Sequence, residues 1–188
     1  MKTTLCTAAA LAALTVAGCS TMDAMTPMST MAPMFSQDTL PDAVKVPAGH
    51  KVAMETVGVG EITYECRAKA NVATEFEWVF VGPKAALKDR AGKTVGTYYG
   101  PPATWQSLDG SKITATQLAV APAGAGNIPL QLVKANPAMG DGAMMGVSHI
   151  QRVATRGGTA PAMPCNAGAA GQRQVVQYQA DYIFWKSA

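Results

Sequence analysis

Acid–base and nucleophilic chemistry in this chain would have to run through two histidines, His50 and His149, or through carboxylates. His149, Ser111 and Asp109 supply the residue types of a hydrolase triad, in which the base needs a hydroxyl on one side and a carboxylate on the other. No GxSxG turn raises a serine as a nucleophile, and a strand histidine is more often structural than catalytic. Asp109 and Asp181 are the default pair for glycosidase chemistry, which needs two facing carboxylates, but Asp109-Gly110 is fully explained as turn chemistry. Binding asks less. Tyr98, Tyr99 and Trp105 lie close together among Gly and Pro, beside Asp109, and are the residue types of an aromatic shelf for a sugar or apolar ligand; the competing reading has Trp105 capping the edge of the core. The expected ligand site is therefore Tyr98, Trp105, Asp109 and His149, and no residue is assigned as catalytic.

Softer chemistry lies nearer the start. Met22, Met25, Met28, Met31 and Met34 recur at every third position, so in a polyproline II helix of three residues per turn all five thioethers share one edge. Pro27 and Pro33 oppose the α-helix that would scatter them. Thioethers suit Cu(I), and the MxxM spacing resembles methionine-rich segments of bacterial copper-handling proteins. No His-rich tract accompanies them. Filler, or a sacrificial site for oxidants, is the first reading, and Cu(I) binding is the alternative; no other cofactor is expected.

Leu14-Thr15-Val16-Ala17-Gly18-Cys19 resembles the lipobox of bacterial lipoproteins, in which the cysteine is acylated and becomes the new N-terminus. Residues 1–18 have the parts of an export signal: Lys2, an apolar run from Leu5 to Val16, and small residues before the cut. That run is shorter than the roughly 20 residues a membrane-spanning helix requires. Under this reading Cys6 leaves with the signal and Cys19 takes lipid. Cys66 and Cys165 remain in an oxidising compartment, where a disulfide is the default. Closing such a loop removes chain entropy worth about 4.7 kcal/mol. The rival, a two-thiolate metal site, lacks a CxxC pair or a nearby His. Ser20 rather than Asp after the cysteine points to the outer membrane in a Gram-negative cell, with the domain facing the periplasm.

The elements that must position these residues follow from pattern. Residues 19–39 are a tether of Met, Ser, Thr and Pro without apolar periodicity, with ends about 25 Å apart as a flexible coil and about 60 Å apart if extended. From Leu40 short alternating runs separated by Gly and Pro predict a single all-β domain over 40–188. Strands are expected at Lys51–Gly58, Glu61–Arg67, Glu75–Val81, Lys93–Tyr98, Ser111–Ala121, Ile128–Ala135, Gly146–Thr155 and Val175–Trp185. Gly82-Pro83 reads as a connection and Ala85–Leu87 as one helical turn. Phe76, Trp78 and Phe80 read as core aromatics. Val176, Tyr178, Ala180, Tyr182 and Phe184 share one face of the clearest half-buried strand, whereas the facing of 146–155 is ambiguous. The predicted architecture is a sandwich or partly closed barrel of about eight mostly antiparallel strands. At +3, or 3 − 1 = +2 without Lys2, and without a basic cluster, the chain has no nucleic-acid face.

Several spaced motifs together carry a family resemblance: VPAGHK at Val46–Lys51, YEC at Tyr64–Cys66, Trp78-x-Phe80, Gly100-Pro101 followed by Trp105 and Asp109-Gly110-Ser111, IQRV-x-T-x-GG at Ile150–Gly158, Pro164-Cys165, and Y-x-ADY-x-F at Tyr178–Phe184. The chain resembles the domain of unknown function 3455 family, whose members are secreted or lipid-anchored proteins of bacteria and fungi. The resemblance implies no established activity. Some fungal relatives carry a malate dehydrogenase label, but a dinucleotide site needs G-x-G-x-x-G between strand and helix, and Gly140-Asp141-Gly142 runs on to Met145 among predicted strands. No dinucleotide is expected. The expected function is a noncatalytic envelope lipoprotein that binds an unidentified envelope component or protein partner, with Cu(I) binding and an unrecognised hydrolase as alternatives.

Overall fold

The computed structural model describes residues 35–188. The predicted signal segment, Cys19, the five spaced methionines and most of the predicted tether lie outside the described residues. Eight strands follow in chain order: β1 (His50–Lys69), β2 (Val72–Lys88), β3 (Thr94–Tyr99), β4 (Thr104–Ser107), β5 (Lys112–Ala121), β6 (Leu130–Ala135), β7 (Val147–Gly157) and β8 (Arg173–Ser187). Each pairs antiparallel with the next, and β8 returns to β1, so the sheet closes into a ring. Closure leaves the ring without free edges, and of the two predicted architectures it selects the barrel, fully closed rather than partly.

Strand alternation divides the apolar residues between two cores. Ile62, Leu87, Tyr98, Trp105, Ile113, Val133, Ile150, Tyr182 and Phe184 point inward and fill the barrel, as expected for eight strands, whose bore is just wide enough for side chains. On the outer wall, Leu132, Val153, Ile183 and Trp185 are covered by the segment that precedes β1, through Phe35, Leu40, Val44 and Val46. This strap includes a 3-10 turn at Asp42–Val44. The packed chain begins ahead of Leu40: the Phe35 amide donates to Glu55 Oε1 at 2.9 Å, and its ring meets Trp185 edge-on at 6.3 Å between centroids. Gln151, fully buried, pins the strap. Its amide nitrogen donates to Val44 O at 2.6 Å and to Gln37 Oε1 at 3.1 Å, and its oxygen accepts from Trp185 Nε1 at 2.9 Å.

The strand boundaries depart from sequence expectation in the first half of the chain. Gly58 and Gly60 read as a break, yet β1 runs through them, because the Tyr182 ring occupies the space a side chain at Gly58 would need. Gly82-Pro83 and the expected helical turn at Ala85–Leu87 are all part of β2, which pairs with β1 from Val57 to Lys69. Proline is tolerated at 83 because the register shifts nearby, at Thr63/Tyr64, and β3 pairs with β2 only from Lys84 onward. Of the expected core aromatics Phe76, Trp78 and Phe80, Trp78 packs against the barrel core, half-buried, whereas Phe76 is half-buried outside that cluster and Phe80 is 51% exposed, because β2 here runs beyond the end of β3. Short strand β4, absent from the expectation, lies between Gly100-Pro101-Pro102 and the Asp109-Gly110 turn.

Candidate ligand-binding site

Tyr98 and Trp105 occupy opposed positions on β3 and β4, and their rings stack at 4.7 Å between centroids with 26° between planes. Tyr182 of β8 completes a trio, 5.0 Å from Tyr98 and 5.8 Å from Trp105. All three are buried inside the barrel, so this pair is core packing rather than an exposed shelf. Tyr99 points the opposite way, as an adjacent strand residue must. Its hydroxyl donates to Gln106 Oε1 at 3.0 Å, and it borders an outer groove of about 730 Å³ flanked by Val59, Glu61, Lys84 and Thr97.

Asp109 lies in the β4–β5 turn and acts as a staple. Its Oδ1 accepts from the Ser111 amide at 2.9 Å and the Ser111 hydroxyl at 2.6 Å, while Oδ2 accepts from the Ala143 amide at 2.8 Å. The Ser111 hydroxyl and the Ala143 and Ser111 amides hold the carboxyl down at about 2. Ser111 Oγ in turn accepts from the Met144 amide at 3.2 Å, which seats Met144 in the barrel core. His149 is elsewhere, on the wall of β7. Its ring meets His50 edge-on at 4.7 Å, and Nδ1 is 3.2 Å from Ser148 Oγ. Burial, then the neighbouring His50 and Lys134 charges, lower its pKa. Of the four expected ligand residues the fold joins Tyr98 to Trp105. Among the described residues no hydrogen bond or ring contact ties Asp109 or His149 to that pair, and the buried Ser111 hydroxyl faces Asp109 rather than His149. Among the described residues no three His, Cys, Asp or Glu side chains converge as a metal would require.

A different group of polar residues faces inward. Arg152 of β7 shares the parity of the buried Ile150 and sits opposite Tyr182 on β8 and Gln131 on β6. Its Nε and Nη2 donate to the Pro129 carbonyl at 3.2 and 3.0 Å. Gln131 Nε2 donates to Gln117 Oε1 at 2.6 Å, and the Tyr178 and Tyr182 hydroxyls are 3.2 Å apart. Burial pushes the phenols of Tyr64, Tyr98, Tyr178 and Tyr182 up, and in each case the Arg152 charge partly opposes it. The sequence carried a signal for this cluster: a charged residue two positions from Ile150, with the same facing, on a strand otherwise built to be buried.

At the same end of the sheet, Cys66 and Cys165 form a disulfide with S–S 2.00 Å and Cα atoms 5.5 Å apart. It ties the β1–β2 hairpin to the 159–172 segment, which Trp78 also grips by donating from Nε1 to Met163 O at 2.9 Å. Tyr64 adds a third tie, its hydroxyl donating to Gly158 O at 2.8 Å. Neither curated proteins nor solved structures include a match to the chain. A family model described as a protein of unknown function, DUF3455, matches residues 47–186, from the foot of the strap nearly to the end of β8. That span contains the barrel strands up to the penultimate residue of β8 and both half-cystines, and the chain belongs to the DUF3455 family.

Proposed function

We propose that this protein is an exported, lipid-anchored envelope lipoprotein whose disulfide-closed barrel is a noncatalytic binding module. The observation that carries the reading is the Cys66–Cys165 bond, formed across 99 positions. Disulfides persist in oxidising compartments outside the cytosol, which agrees with a lipobox cysteine at Cys19. The binding role, rather than catalysis, follows from the separation of candidate groups. Ser111 is locked into a structural staple, and the hydroxyl beside His149, that of Ser148, donates to Trp185 O at 3.2 Å rather than to the imidazole. One end of the barrel instead presents half-exposed Arg152 and Gln131 and exposed Gln117, polar side chains of the kind that orient a ligand.

Metabolic labelling with a fatty acid, followed by membrane fractionation, tests the anchor. The wild-type chain is expected in the membrane fraction with label, and Cys19→Ala is expected unlabelled and released. Cytosolic wild-type protein with free thiols at Cys66 and Cys165 would overturn the reading.

A further inference from the structure

We propose that the Arg152 end of the barrel binds a small organic carboxylate. Arg152 forms no ion pair with a carboxylate among the described residues, although Glu55, Glu65, Glu75, Asp42 and Asp181 are all paired. A half-buried guanidinium is costly unless its donors are met. Pro129 O takes Nε and one Nη2 hydrogen, and the Nη1 edge of the five-donor fork has no acceptor among the described residues.

The neighbouring polar groups are also in donor excess. When the Tyr178 and Tyr182 hydroxyls bond to one another, one of the two keeps a hydrogen to donate. No Asp or Glu is among the buried polar residues of the described chain. A site of surplus donors around one cation selects a ligand that only accepts. The planar fork matches a carboxylate, and a single positive charge suits a monoanion better than a phosphate dianion. The bore filled by Trp105, Tyr182, Phe184 and Leu87 limits the ligand to a small one at the mouth, where Gln117 is exposed and Gln131 and Arg152 are half-exposed.

This inference deepens the binding-module reading and rests on it. The probe is benzoate, with benzamide as its uncharged isostere and inorganic phosphate as the competing anion, titrated at millimolar concentrations into the full chain purified in detergent. Benzoate is expected to shift the Arg152 Nε–H resonance saturably, benzamide to leave it in place, and phosphate to bind more weakly. Arg152→Gln is expected to weaken benzoate at least about tenfold, equivalent to about 1.4 kcal/mol. Equal responses to benzoate and benzamide, no saturable shift, tighter binding of phosphate, or undiminished affinity in Arg152→Gln would each overturn the site. If that variant fails to fold, the wild-type comparison of benzoate with benzamide still decides. Failure here would leave lipid labelling intact, so the loss of this site and the loss of the envelope reading are distinguishable.

Discussion

Gly58 is defined by a side chain it lacks. A Cβ there would stand 2.5 Å from Tyr182 Cε2, and that ring is hemmed in by Tyr98, Trp105 and the Tyr178 hydroxyl. Gly58→Ala is therefore an overpacking change, expected to cost about 1–3 kcal/mol in urea unfolding; an unchanged midpoint would show that Tyr182 can yield. Asp109 acts through charge instead. Its carboxyl sits at about 2 in the folded state against an ordinary 3.8, so the folded protein binds fewer protons than the unfolded chain between those values. The stabilisation is complete above the unfolded value and is lost as pH falls through the folded one. Asp109→Asn should be less stable than wild type at neutral pH, and the gap should narrow between about pH 4 and pH 2 in parallel unfolding curves. A constant gap would mean that geometry, not ionisation, holds the 140s loop. At this scale the sequence was partly legible. Turn chemistry at Asp109-Gly110 was readable because it is local, but the Ala143 and Met144 amides it organises are over thirty positions away.

The β1–β2 hairpin shows why a correct strand count can conceal wrong strands. Glycines and Pro83 read as punctuation split one long strand in two and shortened another, while β4, only Thr104–Ser107, escaped notice. Such glycines serve packing across the barrel, and a window along the chain contains no information about Tyr182. By contrast β8 was legible almost residue for residue, since its tyrosines and Phe184 alternate with polar residues against one buried face. The hairpin runs past the end of β3, so its inward aromatics depend on the 159–172 segment for cover, and the disulfide is the main fastening. Cys66→Ala with Cys165→Ala should lower stability by about 2–5 kcal/mol and expose Met163 and its neighbours to proteolysis, while the strand signal in circular dichroism persists. Unaltered protease resistance would assign the fastening to Trp78 and Tyr64 alone.

Across the whole molecule, one buried amide pins the apolar strap to the barrel wall beside the Phe35–Glu55 bond. Gln151 satisfies Val44 O and Trp185 Nε1 at once, and Gln151→Ala would strand both in an apolar layer, at about 1–3 kcal/mol for each group. Thermal unfolding should register that loss, with the strap becoming the first segment cut by protease; a neutral result would mean that water replaces the amide. Closure itself was not legible, because it depends on β1 finding β8 across most of the domain, and pairing preference along the sequence fades with distance.

The β1–β8 seam has a consequence in time. The edge of β1 from His50 to Glu65 has no partner until β8 arrives, and β8 must also complete β7. An emerging chain therefore holds an open sheet with a long unsatisfied edge for as long as synthesis continues, a template for aberrant pairing and a slow, non-local final step. The same delay keeps the chain threadable. Until Arg173 to Ser187 is delivered the barrel cannot lock, and the chain remains a pliable open sheet rather than a finished cylinder.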